Sequence, residues 1–196
     1  MTSTHALIVA AGRGTRMADA DVPKQYRRLA GRPVLAHAID AYVRHPAIAS
    51  VRVVIHPDDR ALYDASRQES VRNGLAALAD ADVQGGRVLI HDGARPLVSA
   101  GVISRVIAAL DGAVGAIAAL PVVDTLKQAR DGMVGATVPR DALWHAQTPQ
   151  GFDLAAIRAA HDAVAGRALT DDAAVAEAAG LDVRLVPGEE DNLKIT

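Results

Sequence analysis

The sequence predicts an α/β fold, a mainly parallel sheet covered by helices, with a small β-arm protruding from it. Three observations carry this expectation. Short β-rich runs alternate with runs of helical spacing along most of the chain, which is the pattern of parallel strands joined by crossover helices. Half of the 196 residues are hydrophobic but only 3% are aromatic. Ala dominates, so the core is one of small and aliphatic side chains, suited to helices packed closely on a sheet. The third observation is Asp131-Gly132, set between two β-like runs with few large apolar residues. An Asp-Gly between such runs is a hairpin signal. A two-stranded ribbon is marginal alone, so this one is expected to lean on another surface, a second subunit being the first candidate.

The elements follow in order. His5–Ala10 reads as the first strand, and a glycine-rich loop, Ala11 to Arg16, comes directly after it. From about Pro33 to His45, Val34, Leu35, Ile39, Tyr42 and Val43 fall on one helical face, with proline near the start. Val51–Ile55 is a second strand, closed by His56-Pro57-Asp58-Asp59. Val71, Leu75 and Leu78 give helical spacing over about 68–79, and Arg87–His91 is a third strand ending on Asp92. Ser99 is placed to cap a helix whose Val102, Ile103, Val106, Ile107 and Leu110 form a stripe. Val114–Leu120 is a strand, and Val122–Gln128 and Met133–Val138 are the arms of the hairpin. Helices follow at about Asp153–Ala165 and Asp171–Ala179, the second with Thr170-Asp171-Asp172 at its N-cap and Gly180 at its close. Val183–Val186 and a short Leu193–Thr196 are read as strands.

Length and composition set bounds. A chain of 196 residues fits one domain, 1–196, with the arm at about 121–140. The formal net charge of -2 gives no footprint for nucleic acid. The absence of Cys excludes disulfides, iron–sulfur ligation and thiolate zinc sites. No apolar run approaches the roughly 20 residues of a membrane span, and the short Leu7–Ala11 run is no signal peptide. A cytoplasmic protein with no membrane or nucleic-acid partner is expected. Its end on Lys194-Ile195-Thr196 is that of an interrupted strand, which suggests a further segment in a parent polypeptide.

Three segments carry chemistry. In Gly12-Arg13-Gly14-Thr15-Arg16, glycines permit close backbone approach and the N–H groups can form an anion nest. The loop lacks the third glycine of a dinucleotide fingerprint and the Gly-Lys-Ser/Thr of a P-loop, and an ordinary strand-to-helix turn is the competing reading. Pro23-Lys24-Gln25-Tyr26 puts a cation on a stiff segment. A solvated lysine is its plain reading, and a polyphosphate clamp with Arg16 its functional one. His91-Asp92-Gly93-Ala94-Arg95-Pro96 ends a buried strand, where ligands collect in open parallel sheets. Asp92 could there hold Mg²⁺ together with substrate phosphates, or close a turn by pairing with Arg95. The seven His contain no His-x-His or His-Glu-x-x-His pattern. Leu143 to Gln150 reads as a structural turn that packs and hydrogen-bonds.

Taken together, the motifs Ala10-Ala11-Gly12-x-Gly14-x-Arg16-Met17, Pro23-Lys24-Gln25-Tyr26, His91 to Pro96, Asp124-Thr125-Leu126-Lys127, Leu143 to Gln150 and Asp191 to Thr196 occur in this order over nearly the whole chain. In this the sequence resembles the 2-C-methyl-D-erythritol 4-phosphate cytidylyltransferases. The resemblance implies a Rossmann-like, mainly parallel sheet with a protruding β-arm, of the nucleotide-diphospho-sugar transferase type. It implies transfer of CMP from CTP to a small polyol phosphate, with Mg²⁺ as cofactor. Arg16 and Lys24 match the catalytic cations on the triphosphate. Ala10, Ala11, Gly12, Gly14, Ser70 and Asp92 match CTP-binding positions. Asp92, Arg95, Thr125, Arg140 and Lys194 match acceptor-binding positions, and Asp92 the metal ligand. Thr125 and Arg140 would come from the partner's arm in a homodimer. One departure is that Tyr63-Asp64-Ala65-Ser66 runs almost directly into Arg67, where the family has a further strand and a Gly-Gly turn with cytosine contacts. Another is the ending, where the family continues into a helix and, in some relatives, into a fused cyclodiphosphate synthase. A pentitol-phosphate cytidylyltransferase and a non-catalytic nucleotide-binding module are the rival expectations.

Overall fold

Along β1 (Thr4–Ala10), Ala6, Ile8 and Ala10 alternate with Leu7 and Val9, and a strand sends alternate side chains to opposite faces of its sheet. The computed structural model describes residues 2–12, 22–55, 71, 74–75, 78 and 85–196, and in it the two sets feed two separate cores. Ala6, Ile8 and Ala10 pack with Leu89, with Leu35 and Tyr42 of α1 (Val34–Val43), and with Val102, Ile103 and Val106 of α2 (Ala100–Ala109). Leu7 packs on the other face with Val88, Ile90, Phe152, the helical residues Val71, Leu75 and Leu78, and Leu154 and Ile157 of α3 (Leu154–Ala163). Each Val, Leu or Ile side chain so buried is worth about 1.5–3 kcal/mol.

The helix starts are capped as their sequences foretell. Ser99 Oγ accepts from Val102 N at 3.1 Å, and Asp153 Oδ1 from Ala156 N at 2.9 Å. Asp171 Oδ1 accepts from Ala174 N at 2.9 Å to start α4 (Asp172–Ala178). Gly180, at φ +77°, closes α4.

A minor antiparallel pair, β2 (Arg28–Leu29) and β3 (Arg32–Pro33), precedes α1. The main sheet joins β1 to β4 (Ser50–Ile55), β5 (Arg87–Asp92), β6 (Gly115–Pro121), β9 (Trp144–Asp153) and β10 (Val183–Pro187). Among the described residues its order is β10-β6-β9-β5-β1-β4. β1 runs parallel to β4 and β5, and β6 parallel to β10, while β9 opposes both β5 and β6. Five strands therefore point one way, and their carboxyl ends share an edge with the start of β9. The predicted mainly parallel sheet is present.

β9 corrects the expectation of a turn at Leu143 to Gln150. Polar residues and Pro149 argue against a central strand. Pro149 is tolerated because the β6–β9 register shifts between Ile117 and Ala119, opposite Gln147 to Gln150. Gly151 then lets β9 pass under α2, since a Cβ there would lie 2.7 Å from both Leu89 Cδ2 and Val106 Cγ1. Leu193–Thr196 is a second correction. It forms no strand, and its backbone docks instead through Ile195 N to Ala94 O at 2.9 Å.

The arm is the expected hairpin, β7 (Leu126–Arg130) and β8 (Met133–Val138). Asp131 and Gly132 have φ +50° and +77°, the pair of left-handed residues that a two-residue primed turn requires. Its first strand begins at Leu126 and not at Val122, which is drawn into the body by Val122 N to Leu143 O at 2.9 Å. Among the described residues, no helix is long and apolar enough to cross a membrane.

Candidate active site

Asp92 closes β5 at the carboxyl edge. Gly93 follows it and gives its N–H to Val9 O at 2.9 Å, bringing the turn close to β1. Only glycine fits there, since a Cβ would meet Leu35 Cδ1 at 2.9 Å and Ala10 Cβ at 3.1 Å. The turn closes with Arg95 N to Asp92 O at 3.0 Å.

A buried relay fixes the Asp92 backbone. Its N–H donates to Thr148 Oγ at 3.1 Å, and the Thr148 hydroxyl faces His91 Nδ1 at 2.9 Å. His91 Nε2 meets Arg95 O at 3.0 Å. One proton arrangement satisfies all three contacts, with the hydroxyl donating to Nδ1 and Nε2–H donating to the carbonyl. Burial agrees with this neutral ring, since it pushes the His91 pKa down to about 4. Tyr42 closes over the ring at a centroid distance of 5.0 Å.

The Asp92 carboxylate is 12% exposed and pairs through Oδ2 with Lys194 Nζ at 2.8 Å, and at 3.6 Å with Arg95 Nε. Lys194 is brought there by the segment after β10. Gln147 Nε2 donates to Glu189 O at 2.8 Å, and its Oε1 accepts from Glu189 N at 3.3 Å and Asn192 Nδ2 at 3.2 Å. Asn192 Nδ2 also reaches Thr148 O at 2.8 Å, and Arg95 Nη1 donates to Asn192 O at 2.7 Å.

Lys24 comes from a separate segment. It opens a single 3₁₀ turn, Lys24–Tyr26. The next residue, Gln25, is buried and latches that turn to the end of β1 through Nε2 to Ala10 O at 2.8 Å. The result is an open cleft of about 120 Å³ lined by Val9, Ala10, Gly12, Lys24, Gln25, Asp92, Ala94 and Lys194. Two lysines and one carboxylate thus line one cleft at the carboxyl edge of the sheet, an arrangement that can hold a polyphosphate and a second anionic group together.

The sequence-predicted residues divide accordingly. Ala10, Gly12, Lys24, Asp92 and Lys194 converge on the cleft, and Ala11 is buried beside it. Arg95 is turned away from it, onto Asn192 O and Asp92, so the pairing of Asp92 with Arg95 is present. Thr125 and Arg140 do not line the cleft. They are exposed at the base of the arm, where Arg140 Nη1 donates to Val123 O. Gly14, Arg16, Ser70 and the Ser66–Arg67 junction lie outside the described residues. Residue-by-residue reasoning passed over Gln25, Gln147, Thr148 and Asn192. The available signal was three polar side chains, Gln147, Thr148 and Gln150, in a run free of glycine just ahead of an apolar stretch.

The family model for 2-C-methyl-D-erythritol 4-phosphate cytidylyltransferase matches residues 4–196. The chain belongs to this family. Among its cytidylyltransferase relatives, the bifunctional enzyme IspD/IspF of Paramagnetospirillum magneticum is 55% identical across 100% of this chain and 54% of its own length. The 2-C-methyl-D-erythritol 4-phosphate cytidylyltransferase of Cereibacter sphaeroides strain KD131 is 51% identical over 99% of this chain and 92% of its own. The crystal structure of the cytidylyltransferase from Thermus thermophilus superposes with a TM-score of 0.83 at 35% identity, covering 100% of this chain and 93% of that one. The chain spans about half the length of the bifunctional relatives it matches. The match to the Paramagnetospirillum enzyme runs over 211 residues against 196 here. Over the matched span that enzyme therefore holds at least 15 residues without a counterpart in this chain.

Proposed function

We propose that this protein transfers CMP from CTP to 2-C-methyl-D-erythritol 4-phosphate, giving 4-diphosphocytidyl-2-C-methyl-D-erythritol and pyrophosphate in cytoplasmic isoprenoid biosynthesis. The observation that carries the reading is the cleft in which Lys24, Asp92 and Lys194 meet beyond the ends of β1 and β5. An oxygen of the acceptor phosphate attacks the α-phosphorus of CTP, and the bond from that phosphorus to the bridging oxygen breaks, releasing pyrophosphate. The protein's part is positioning and charge stabilisation. Lys24, with Arg16, holds the triphosphate and meets the charge that grows on the leaving group. The backbone at Ala10, Ala11 and Gly12 lies against the nucleotide, with Gly14 and Ser70 completing its site. Lys194 holds the acceptor phosphate.

Mg²⁺ fits the donor chemistry. Among the described residues, Asp92 is the one carboxylate lining the cleft, and Mg²⁺ commonly takes one or two carboxylates together with substrate phosphates. Asp92 would hold it, and the ion would supply charge neutralisation of the polyphosphate. The arm docks on a second copy, so that Thr125 and Arg140 complete the partner's acceptor site. Its support is the exposed apolar set Val123, Met133, Val134, Leu143 and Trp144 on and below the arm.

The test is pyrophosphate release from CTP with 2-C-methyl-D-erythritol 4-phosphate and, in parallel, pentitol phosphates. Turnover should require the methylerythritol acceptor and Mg²⁺, and should fall to background in chelator. Lys24→Ala should lower turnover about 10²–10³-fold, the scale of losing one preorganised donor. Turnover with no acceptor dependence, or undiminished in chelator, would reject the assignment.

A further inference from the structure

Lys194 is the acceptor-phosphate cation in the function proposed above, and the present inference rests on that reading. The lysine lies on a stretch without helix or strand, 188–196. A flexible four-carbon side chain on irregular backbone is poorly suited to hold a charge in place, because each of its torsions costs entropy to fix. Yet the backbone leading to Lys194 is tied on three sides. Arg105 of α2 grips Pro187 O at 2.9 Å and Glu189 Oε1 at 2.8 Å. Arg95 holds Asn192 O. The third tie is the most buried. Gln147, 6% exposed, and Asn192, 0% exposed, join side chain to side chain and take up both backbone groups of Glu189 and the carbonyl of Thr148.

We propose that Gln147 and Asn192 are positioning residues for acceptor binding: they weld the 188–194 segment to β9 and thereby set Lys194 Nζ in the cleft. Two features point beyond plain packing. A Cβ on Gly188 would strike Gln147 Oε1, so the segment is fitted to this amide at backbone distance. Thr148, whose carbonyl accepts from Asn192, also accepts the Asp92 N–H through its hydroxyl. One dipeptide of β9 therefore sets the relative position of Lys194 and Asp92, the cation and carboxylate that face each other at 2.8 Å. Neither positioning side chain lines the cleft, so their effect on substrate passes through the groups they place, Lys194 first.

Two variants of the full chain test this. Asn192→Asp keeps the shape but replaces the Nδ2 donor with an oxygen facing Gln147 Oε1 and the Thr148 carbonyl. Gln147→Met removes the amide at similar volume and provides a second route should Asn192→Asp fold poorly. Steady-state kinetics should show acceptor KM raised about 10- to 100-fold, the range typical of losing a partner that orients a ligating group. CTP KM should stay within about twofold. The deciding readout is the cycle with Lys194→Met, since residues acting through one group are not additive. Asn192→Asp placed on Lys194→Met should add no further rise in acceptor KM. Multiplicative effects, equal rises in both KM values, or an unchanged acceptor KM in both positioning variants would overturn the inference while Lys194→Met still raised acceptor KM. If Lys194→Met itself left acceptor KM unchanged, the assignment of Lys194 would fall and the inference with it.

Discussion

His91 occupies the centre of the site without touching the cleft. Its ring is fully buried, hydrogen-bonded at both nitrogens and neutral, with its pKa lowered from 6.5 to about 4 chiefly by burial. In the unfolded chain the ring takes up a proton as pH falls through its ordinary value, whereas in the folded chain it does not until about pH 4. This group's contribution to stability is therefore complete above pH 6.5 and is lost between 6.5 and about 4. The shift corresponds to about 3 kcal/mol at most. Urea-unfolding midpoints measured from pH 7.5 to pH 4.5 should fall for the parent protein and fall much less for His91→Asn. His5, also lowered by burial and by Arg52, leaves a residual slope. Equal slopes in both proteins would mean that His91 titrates normally. The motif around His91 was legible in sequence as a strand end bearing chemistry. Its hydrogen-bond relay was not, because Thr148 is 57 positions away from His91 and only the sheet brings them together.

At the scale of single elements, β9 is the informative case. The other strands of the main sheet announced themselves through apolar or β-branched runs, and the capped helices through Ser99, Asp153 and Asp171. β9 did not, because its buried side chains are amides and a hydroxyl whose partners lie in other elements. Gln150 shows why such residues survive burial. Its Oε1 accepts from Asp172 N and Ala173 N at 3.1 and 3.0 Å, and its Nε2 donates to Asp171 Oδ2 at 2.9 Å, so it seals the start of α4 from below. Gly151, the next residue, is where β9 is most tightly confined. Gly151→Ala should cost about 1–3 kcal/mol, the usual penalty of overpacking, because the new methyl lies 2.7 Å from Leu89 and Val106 and 3.1 Å from Leu110. Chemical denaturation is the measurement, and a midpoint shift equivalent to less than about 0.5 kcal/mol, the size of an ordinary surface substitution, would mean that α2 yields without strain.

For the whole molecule, the prediction concerns the arm. β7 and β8 pair chiefly with each other, neither packing extensively on another described element, and Met133 and Val134 are exposed on β8. If the arm completes a neighbour's cleft, Arg140→Ala should raise acceptor KM and spare CTP binding. Mixing Arg140→Ala chains with Lys24→Ala chains should recover activity, because each mixed dimer holds one cleft with neither defect. Sedimentation should show a dimer in both. A fully active monomer, or mixtures that stay at the level of their components despite proven subunit exchange, would reject sharing. The separateness of the arm was readable from its thin apolar content and its Asp-Gly turn. What it touches was not, because one chain's residues define its own surface and not the surface it meets.

The order of the sheet has a consequence for how the chain is made. In space β9 stands between β5 and β6, although both are synthesised before it. As a nascent chain emerges, β4, β1 and β5 can pair at once, but β6 has no hydrogen-bonding neighbour among the strands already present. The half-built sheet keeps an open edge on β5 until residue 153 is free, and the cleft lacks Lys194 until the segment after β10 follows. The sheet is thus joined at its middle by β9 and finished at its edge by β10, and Lys194 reaches the cleft only after every strand of that sheet has been made.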